Sequence, residues 1–290
     1  MKSEKHETEP YTIDSHAGGD YPEGLYDHRA IADKVNGLDG ISGDGFSLFR
    51  QQGYLAVEAA FTEKEVEDGL AGLSDLIMGK RPDFRGISFE AKAKDRVEDL
   101  TPQERLDWVR KLVYFVDYDT RLKALAFHRK LMPVVRRLLG AEPELFADQA
   151  LIKPPKIGRE KPWHQDHAFF DLFGDTPVVG VWIALDAATL ENGCMRLLSG
   201  AHRQGPRIHF TRRDWQICDD EILGQRSVAA PLDPGGLLLF DGLLPHGTPA
   251  NASAERRRAL QFHYIPKGTE DISREERLKT FGSDGKDVTC

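Results

Sequence analysis

The chain of 290 residues is long enough for one large domain or two small ones. Its composition, with 40% hydrophobic and 30% charged residues, is that of an ordinary globular protein. The formal net charge of −8 argues against a general nucleic-acid-binding protein, which usually carries a basic balance. No run approaches the roughly 20 apolar residues that a membrane-spanning helix needs. We therefore expect neither nucleic acid nor a membrane as a partner.

The N-terminal segment and the cysteines predict a cytoplasmic protein. Residues 1–42 are polar, Gly-rich and aperiodic, which predicts an arm on the surface, and they begin without the apolar stretch of a secretory signal. The three cysteines, Cys194, Cys218 and Cys290, contain no CxxC pair, so neither a zinc ribbon nor a disulfide framework is expected. We expect them to be packing residues in a reducing compartment.

The first half of the chain after this arm predicts helices. Residues 62–79 begin with Thr62 and carry a glutamate three positions later, which is a capping-box pattern, and their apolar residues recur at helical spacing. A second helix is predicted over 101–115, which opens with a threonine followed by a proline. A third is predicted over 120–140, and Pro133 should split it into two.

The second half of the chain changes to a β pattern. Short apolar or alternating segments bounded by Gly, Pro, Asn or Asp predict strands over 145–155, 177–186, 235–242 and 257–266. Helices followed by strands indicate an α+β fold, with helices buttressing a jelly roll. We expect one domain over 43–290, because no internal repeat or strong linker divides it. The long excursion 203–227 is a candidate lid, as is the loop 80–100.

Residues 162–170, PWHQDHAFF, place an imidazole and a carboxylate two positions apart. Side chains at i and i+2 of a strand lie on one face, so His164 and Asp166 would project side by side. His246, which follows the strand predicted over 235–242, is the candidate third ligand. Two histidines and one carboxylate form the facial triad of non-haem iron(II) oxygenases, which leaves coordination positions open. The pattern therefore predicts a catalytic metal site.

A run of three arginines follows His246 at the start of the next predicted strand. A guanidinium binds a carboxylate through two parallel hydrogen bonds, so one of these arginines near the metal would bind a carboxylate. A dicarboxylate with an adjacent keto group, such as 2-oxoglutarate, would satisfy both the metal and the arginine.

These motifs resemble the phytanoyl-CoA dioxygenase family of iron(II)- and 2-oxoglutarate-dependent oxygenases. The resemblance is carried by HQD at 164–166, by VVGVWIALDAATLENGCMRLLSGAH at 178–202 and by HGTPANASAERRRAL at 246–260, and it covers roughly residues 44–268. It implies a double-stranded β-helix core, of the jelly-roll and cupin-like type, over about 145–268. It also implies an enzyme that hydroxylates or otherwise oxidises an unactivated C–H bond of a small-molecule metabolite, consuming dioxygen and releasing succinate and CO2.

The resemblance also implies roles for individual residues. The iron ligands would be His164, Asp166 and His246, and an aspartate at position 166 favours oxygenation, since related halogenases lack that carboxylate. Arg257 would bind the distal carboxylate of 2-oxoglutarate, with Arg256 and Arg258 as alternatives. Further co-substrate contacts would come from Thr248, Trp182, Lys111 and Gln149, although some family members carry methionine at the last position. An apolar wall after the metal motif makes His167, Phe169 and Phe170 candidate substrate contacts.

Each of these assignments has a structural alternative. Arg257 and Lys111 are also consistent with solvated charges, Trp182 with core packing, and Thr248 with a hydroxyl that stabilises a turn. Two other functions use the same ligands: a zinc-dependent hydrolase, and a jelly-roll protein that binds a small molecule without catalysis.

Overall fold

The structure is a computed structural model that describes residues 11–15, 19–286 and 290. The strands of this part of the chain are β1 (Thr12–Ile13), β2 (Ala30–Ile31), β3 (Lys34–Asn36), β4 (Tyr54–Glu58), β5 (Ile87–Phe89), β6 (Val109–Val113), β7 (Pro143–Lys153), β8 (Lys161–His164), β9 (Val179–Ala184), β10 (Met195–Leu197), β11 (Phe210–Thr211), β12 (Trp215–Gln216), β13 (Val228–Ala230), β14 (Leu237–Asp241), β15 (His246–Thr248) and β16 (Arg257–Pro266). The helices are α1 (Gly43–Gln52), α2 (Glu63–Ile77), α3 (Pro102–Arg105), α4 (Thr120–Ala126), α5 (Leu131–Leu139) and α6 (Arg274–Phe281). None of these helices is long and apolar enough to cross a membrane.

Two sheets form the core of the fold. The larger has the strand order β1-β5-β6-β7-β16-β9-β14-β4-β3, and the smaller has the order β2-β13-β10-β15-β8. The strands of each sheet come from distant parts of the sequence: β16, for example, pairs antiparallel with both β7 and β9. This arrangement is a double-stranded β-helix, so the predicted α+β fold with a jelly-roll core is confirmed.

Strand alternation directs side chains of the large sheet into two separate cores. In β9, Val181 and Ile183 pack on the outer face in one cluster with Leu73 of α2. Trp182 and Ala184 lie on the inner face, in a cluster with residues of the smaller sheet. Because successive side chains of a strand point to opposite faces, an uninterrupted apolar strand fills both cores. The helices therefore cover the outer face and leave the space between the sheets for a site.

The first predicted helix is confirmed and the second is largely wrong. Helix α2 begins after Thr62, and the side chain of Glu65 completes the predicted capping box. Over 101–115, only the four residues of α3 are helical, and the following residues form β6. Strand β6 is hydrogen-bonded on both edges, to β5 and to β7. These pairings across the sheet override a local pattern that favours helix.

The third predicted helix is divided, as expected, but upstream of Pro133. The break falls at residues 127–130, between α4 and α5. Pro133 itself lies in the first turn of α5, where backbone N–H groups have no partner within the helix. A proline is tolerated there, so it limits where α5 begins rather than interrupting it.

The predicted N-terminal arm, 1–42, lies partly outside the described residues, which exclude 1–10 and 16–18. Its described parts form short strands at the margins of the two sheets. Strand β1 pairs with β5, β2 with β13, and β3 with β4, each in parallel register. These parts of the arm therefore cover sheet edges.

Buried ion pairs fix the excursion 203–227 to the rest of the fold. The guanidinium of Arg213 donates to both carboxylate oxygens of Asp219, at 2.6 and 2.8 Å, and also pairs with Glu160, the residue before β8. All three residues are buried. Removing one partner of such a buried pair costs about 3–5 kcal/mol. The excursion predicted as a lid is thus held against the body of the protein in this structure.

Two cysteines correct the expectation that all three are packing residues. Cys218, in the excursion, forms a disulfide with Cys290, and their Cα atoms are 5.7 Å apart. Cys194 is buried in the core between the sheets, as predicted. The disulfide joins residues 72 positions apart, a separation that carries no recognisable spacing motif.

Gly180 provides a test of the packing behind the site. It lies opposite Phe240 in the pairing of β9 with β14, and a Cβ atom at position 180 would lie 2.3 Å from the ring. We expect Gly180→Ala to lower the free energy of unfolding by about 1–3 kcal/mol, because the buried ring has to move. Urea denaturation measures this change.

Gly43→Ala is the matched control, since a Cβ atom at that helical position meets nothing within 4 Å. We expect its stability to stay within about 1 kcal/mol of the parent. Equal stability of the parent and Gly180→Ala would show that the ring is not tightly held.

Candidate metal centre

Three buried side chains converge between the sheets. The antiparallel register of β15 with β8 places His246 opposite His164, with ring centroids 4.3 Å apart. Asp166 begins a short 3-10 helix, Asp166–Phe169, directly after β8. One donor atom from each of the three residues lies within 4.8 Å of the other two. Gln165 between them is extended, so the predicted alternation places His164 and Asp166 side by side, and the 3-10 helix begins only at the carboxylate.

Backbone carbonyls fix the orientation of both imidazoles. Nδ1 of His164 donates to the carbonyl of Pro162 at 2.7 Å, and Nδ1 of His246 donates to that of Leu244 at 2.9 Å. Each Nε2 then carries a lone pair towards Oδ1 of Asp166, at 3.2 and 3.7 Å respectively. Burial and the neighbouring His164 lower the pKa of His246 to about 4, so its ring is neutral at pH 7. Three lone pairs directed at one point are the donor set of a cation site.

The second carboxylate oxygen of Asp166 is occupied by two donors from β16. Gln261 donates from Nε2 at 2.9 Å, and His263 donates from Nε2 at 2.7 Å. Burial alone would raise the pKa of Asp166, but the surrounding imidazoles and hydrogen bonds outweigh it and hold the pKa well below its usual range. The carboxylate is therefore ionised and offers one oxygen, Oδ1, to a metal.

The three arginines of the run have different environments. Arg256 pairs with Asp107, with Nη2 at 2.8 Å from Oδ2. Arg258 donates from Nε and Nη2 to the carboxylate of Asp186, at 2.7 and 2.8 Å. Both alternatives to Arg257 thus have carboxylate partners outside the site.

Arg257 faces the space between the sheets and is only 3% exposed. Its guanidinium carbon lies 5.4 Å from the centroid of the Trp182 ring. Among the described residues, its Nε and Nη1 atoms have no hydrogen-bond partner. Burial lowers the pKa of Arg257 to about 10, so the group is still cationic at pH 7. A buried cation with unsatisfied donors fits a carboxylate ligand.

One cavity of about 1830 Å³ contains these groups. Besides the three converging side chains and Arg257, it is lined by six of the predicted contact residues. They are Lys111, Gln149, Phe169, Phe170, Trp182 and Thr248. The structure therefore places every predicted site residue except His167 on one connected surface.

His167 is a correction to the predicted substrate contacts. It is fully buried and lies outside the lining of the cavity. Its Nε2 donates to the carbonyl of Phe173 at 2.8 Å, and its ring stacks on Phe281 of α6 with centroids 5.5 Å apart. The 3-10 turn after Asp166 directs this side chain away from the metal site, so we do not assign it to the substrate pocket.

A group of lysines adds positive charge to the cavity. Burial, together with the cations of Lys161 and Arg110, lowers the pKa of Lys111 to about 8. Lys161 pairs at 2.9 Å with Asp214, which the excursion brings to the cavity wall. Lys153 also lines the cavity, opposite Arg257 in the pairing of β7 with β16.

Sequence reasoning missed several of these residues. Gln261 and His263 alternate with Arg257 along β16, so the period of a strand would have placed them on the same inner face. Lys161 lies three residues before His164 but belongs to no recognised motif. Asp214 reaches the site from a segment whose path depends on distant ion pairs, so no local signal identifies it.

Comparison with known proteins supports the same family. Residues 49–259 match the phytanoyl-CoA dioxygenase family (PhyH). A phytanoyl-CoA dioxygenase domain-containing protein 1 homolog of Caenorhabditis briggsae is 25% identical over 277 residues, which is 80% of this chain and 93% of that protein. Phytanoyl-CoA dioxygenase of Arabidopsis thaliana is 26% identical over 251 residues, which is 77% of this chain and 88% of that protein.

Solved structures support the fold. EvdO2 from Micromonospora carbonacea var. aurantiaca, complexed with 2-oxoglutarate, superposes with a TM-score of 0.63 at 23% identity, covering 83% of this chain and 97% of that one. The non-haem α-ketoglutarate-dependent carbocyclase SnoK from nogalamycin biosynthesis gives a TM-score of 0.63 at 20% identity, covering 87% and 95%.

The predicted enzyme class, an iron(II)- and 2-oxoglutarate-dependent dioxygenase, is that of the matched family, and the prediction is confirmed at this level. The matched segment includes His164, Asp166, His246 and Arg257. Because the match covers most of the sequence and all of these converging side chains, the chain belongs to the phytanoyl-CoA dioxygenase family.

Proposed function

We propose that this protein oxidises an unactivated C–H bond of a small-molecule substrate, with hydroxylation as the expected outcome and succinate and CO2 as the products of 2-oxoglutarate. The observation that carries the proposal is the buried guanidinium of Arg257, whose Nε and Nη1 lack partners among the described residues. It lines the same cavity as His164, Asp166 and His246. A zinc-dependent hydrolase on these ligands would leave this buried cation without a purpose.

The donor set fits a metal with open coordination positions. His164, Asp166 and His246 would hold the ion from one side, and Gln261 occupies the second carboxylate oxygen so that only Oδ1 is left for it. A ferrous ion bound there supplies the redox chemistry that activates dioxygen. The carbonyl partners of both Nδ1 atoms keep the two imidazoles in the tautomer that offers Nε2.

Other residues of the cavity would bind the co-substrate. Arg257 would bind the distal carboxylate of 2-oxoglutarate, with Thr248 as a neighbouring hydroxyl and Trp182 as a wall behind the guanidinium. Lys111 would contribute a second positive charge towards the dianion. Burial of Arg257 away from water strengthens its attraction for the anion.

The rest of the cavity has room for a substrate. Typical ligand pockets occupy about 300–1,000 Å³, and this cavity measures about 1830 Å³. The exposed rings of Tyr114, Phe127 and Phe169 lie along it and offer apolar contact surface. A substrate larger than 2-oxoglutarate itself fits this space.

The metal ligands are tested by alanine substitution. We expect His246→Ala and Asp166→Ala to abolish succinate formation that depends on iron(II), because each removes one of three ligands. The assay supplies iron(II), ascorbate and 2-oxoglutarate with a panel of small metabolites. His128→Ala is the control, since this imidazole pairs with Glu65 outside the cavity. Full turnover by either ligand variant would contradict the metal site.

The arginine run tests the co-substrate site. We expect Arg257→Ala to raise the apparent KM for 2-oxoglutarate by at least about a hundredfold, since each charge-assisted hydrogen bond contributes about 1.5–3 kcal/mol. Steady-state kinetics of succinate formation measure this change. Arg256→Ala and Arg258→Ala are matched controls, whose guanidinium groups pair with Asp107 and Asp186 instead. A comparable rise in KM in either control, with none in Arg257→Ala, would assign carboxylate binding to the other arginine.

The pKa of Lys111 predicts a pH dependence. The ammonium form attracts the dianion, and this form is lost as the pH rises through about 8. The apparent KM for 2-oxoglutarate should therefore stay low below this pH and rise several-fold above it. Burial also lowers the pKa values of Lys161 and Lys153 in the same cavity, so a Lys111 variant has to identify the group that titrates, whereas Asp166 stays ionised over this range.

We expect Lys111→Met to have a raised KM for 2-oxoglutarate already at neutral pH. Its KM should then rise much less than that of the parent above pH 8. A parent-like rise in this variant would assign the titration to another group.

A further inference from the structure

Gln165 separates two of the converging ligands and connects them to the third. It stands between His164 and Asp166, but its side chain points away from the metal site and is fully buried. Its Nε2 donates to the carbonyl of Leu243 at 2.6 Å. Leu243 lies in the turn that leads into His246. One side-chain amide therefore joins the two chain segments that carry all three ligands.

The excursion 203–227 completes the hydrogen bonding of Gln165. The same Nε2 donates to the carbonyl of Gly205 at 2.9 Å, and Oε1 accepts from the backbone N–H of Arg207 at 2.7 Å. The backbone N–H of Gln165 donates to Nε2 of His209 at 3.0 Å. Both amide hydrogens, the amide oxygen and the backbone N–H are thus all used.

His209 is itself held in the form that accepts this hydrogen bond. Its Nδ1 donates to the carbonyl of Arg207 at 2.9 Å, which leaves the lone pair on Nε2. Burial lowers the pKa of His209 to about 3, so the ring stays neutral. Its backbone N–H donates to the carbonyl of Phe281 at 2.6 Å, and its ring stacks on Trp215. The excursion and the end of α6 therefore support the backbone between the two ligands.

We propose that Gln165 is a positioning residue that adds a side-chain link to the pairing of β8 with β15 and so fixes the separation between the segment of His164 and Asp166 and the segment of His246. The inference rests on the proposed metal site and adds a function for the excursion, which braces the metal ligands through Gln165. Coordination requires the donor atoms to be held within about 0.5 Å of their places. Loss of the amide would let the two segments drift while each ligand side chain remains intact.

The test is cobalt(II) titration of the metal-free protein, followed by the visible absorption of bound cobalt. Gln165→Met keeps the length of the side chain and removes every hydrogen bond of the amide. We expect the cobalt dissociation constant to rise about ten- to a hundredfold, as for other partners of metal ligands, with an altered absorption spectrum. A merely structural role would lower the melting temperature of the metal-free protein without these two changes.

Gln216→Met is the matched control. Gln216 is also fully buried in the excursion, and its side-chain amide makes its hydrogen bonds to Arg213, Ile217 and Asp219, all within the excursion. We expect this variant to lose thermal stability and to keep the cobalt affinity of the parent. Parent-like affinity in Gln165→Met, or equal losses in both variants, would overturn the proposal.

A second pair of variants decides the matter if Gln165→Met does not fold. His209→Leu removes the acceptor for the backbone N–H of Gln165, and His209→Gln restores an acceptor. If His209→Leu binds cobalt more weakly and His209→Gln recovers the affinity, the excursion supports the metal ligands through Gln165. Unchanged binding in His209→Leu would overturn the proposal. Failure of the proposed metal site is distinct, because the parent would then bind cobalt no better than His246→Ala.

Discussion

The buried carboxylate of Asp166 is the constraint on which the site depends. A charge that is only 6% exposed needs partners, because its transfer out of water is costly. Gln261 and His263 satisfy one oxygen, and the other faces two imidazole nitrogens that carry lone pairs. Such an arrangement is electrostatically incomplete without a cation. The donor atoms therefore require a bound cation on electrostatic grounds alone.

Strand β16 carries the partners of the Asp166 carboxylate and fixes them within the large sheet. Its inner face carries Arg257, Gln261 and His263, whereas its outer face carries Leu260 and Phe262 in the core beneath the helices. The strand is hydrogen-bonded on both edges, to β7 and to β9, so its register cannot shift without breaking two ladders. The spacing between Arg257 and the groups that orient the Asp166 carboxylate is therefore set by the packing of the whole sheet.

The sequence predicts those parts of the site that follow local rules. The HxD spacing, His246 after an apolar strand and an arginine at the start of the next strand all concern residues close to strand ends, where neighbours in the sheet meet. Alternation likewise predicts that Arg257 faces inwards and that Arg256 and Arg258 do not, as their carboxylate partners outside the site show.

The features that sequence reasoning missed depend on distant contacts. Residues 109–113 form a strand because β5 and β7 lie on either side of them. His167 leaves the cavity because a 3-10 turn rotates it towards α6. Cys218 and Cys290 meet only because the chain end returns to the excursion. In each case the deciding partner lies far away in the sequence, and no local period encodes it.

The distribution of charge shows why composition could not locate the ligand site. The chain as a whole is acidic, with a formal net charge of −8, yet its cavity collects buried cations. Asp214 neutralises part of this charge by pairing with Arg159 and Lys161. Arg257 keeps unsatisfied donors, and in a low-dielectric cavity its field is screened far less than that of a surface charge. Net charge describes the chain as a whole, whereas the buried cations that line this cavity are a local feature that the overall acidic balance does not reveal.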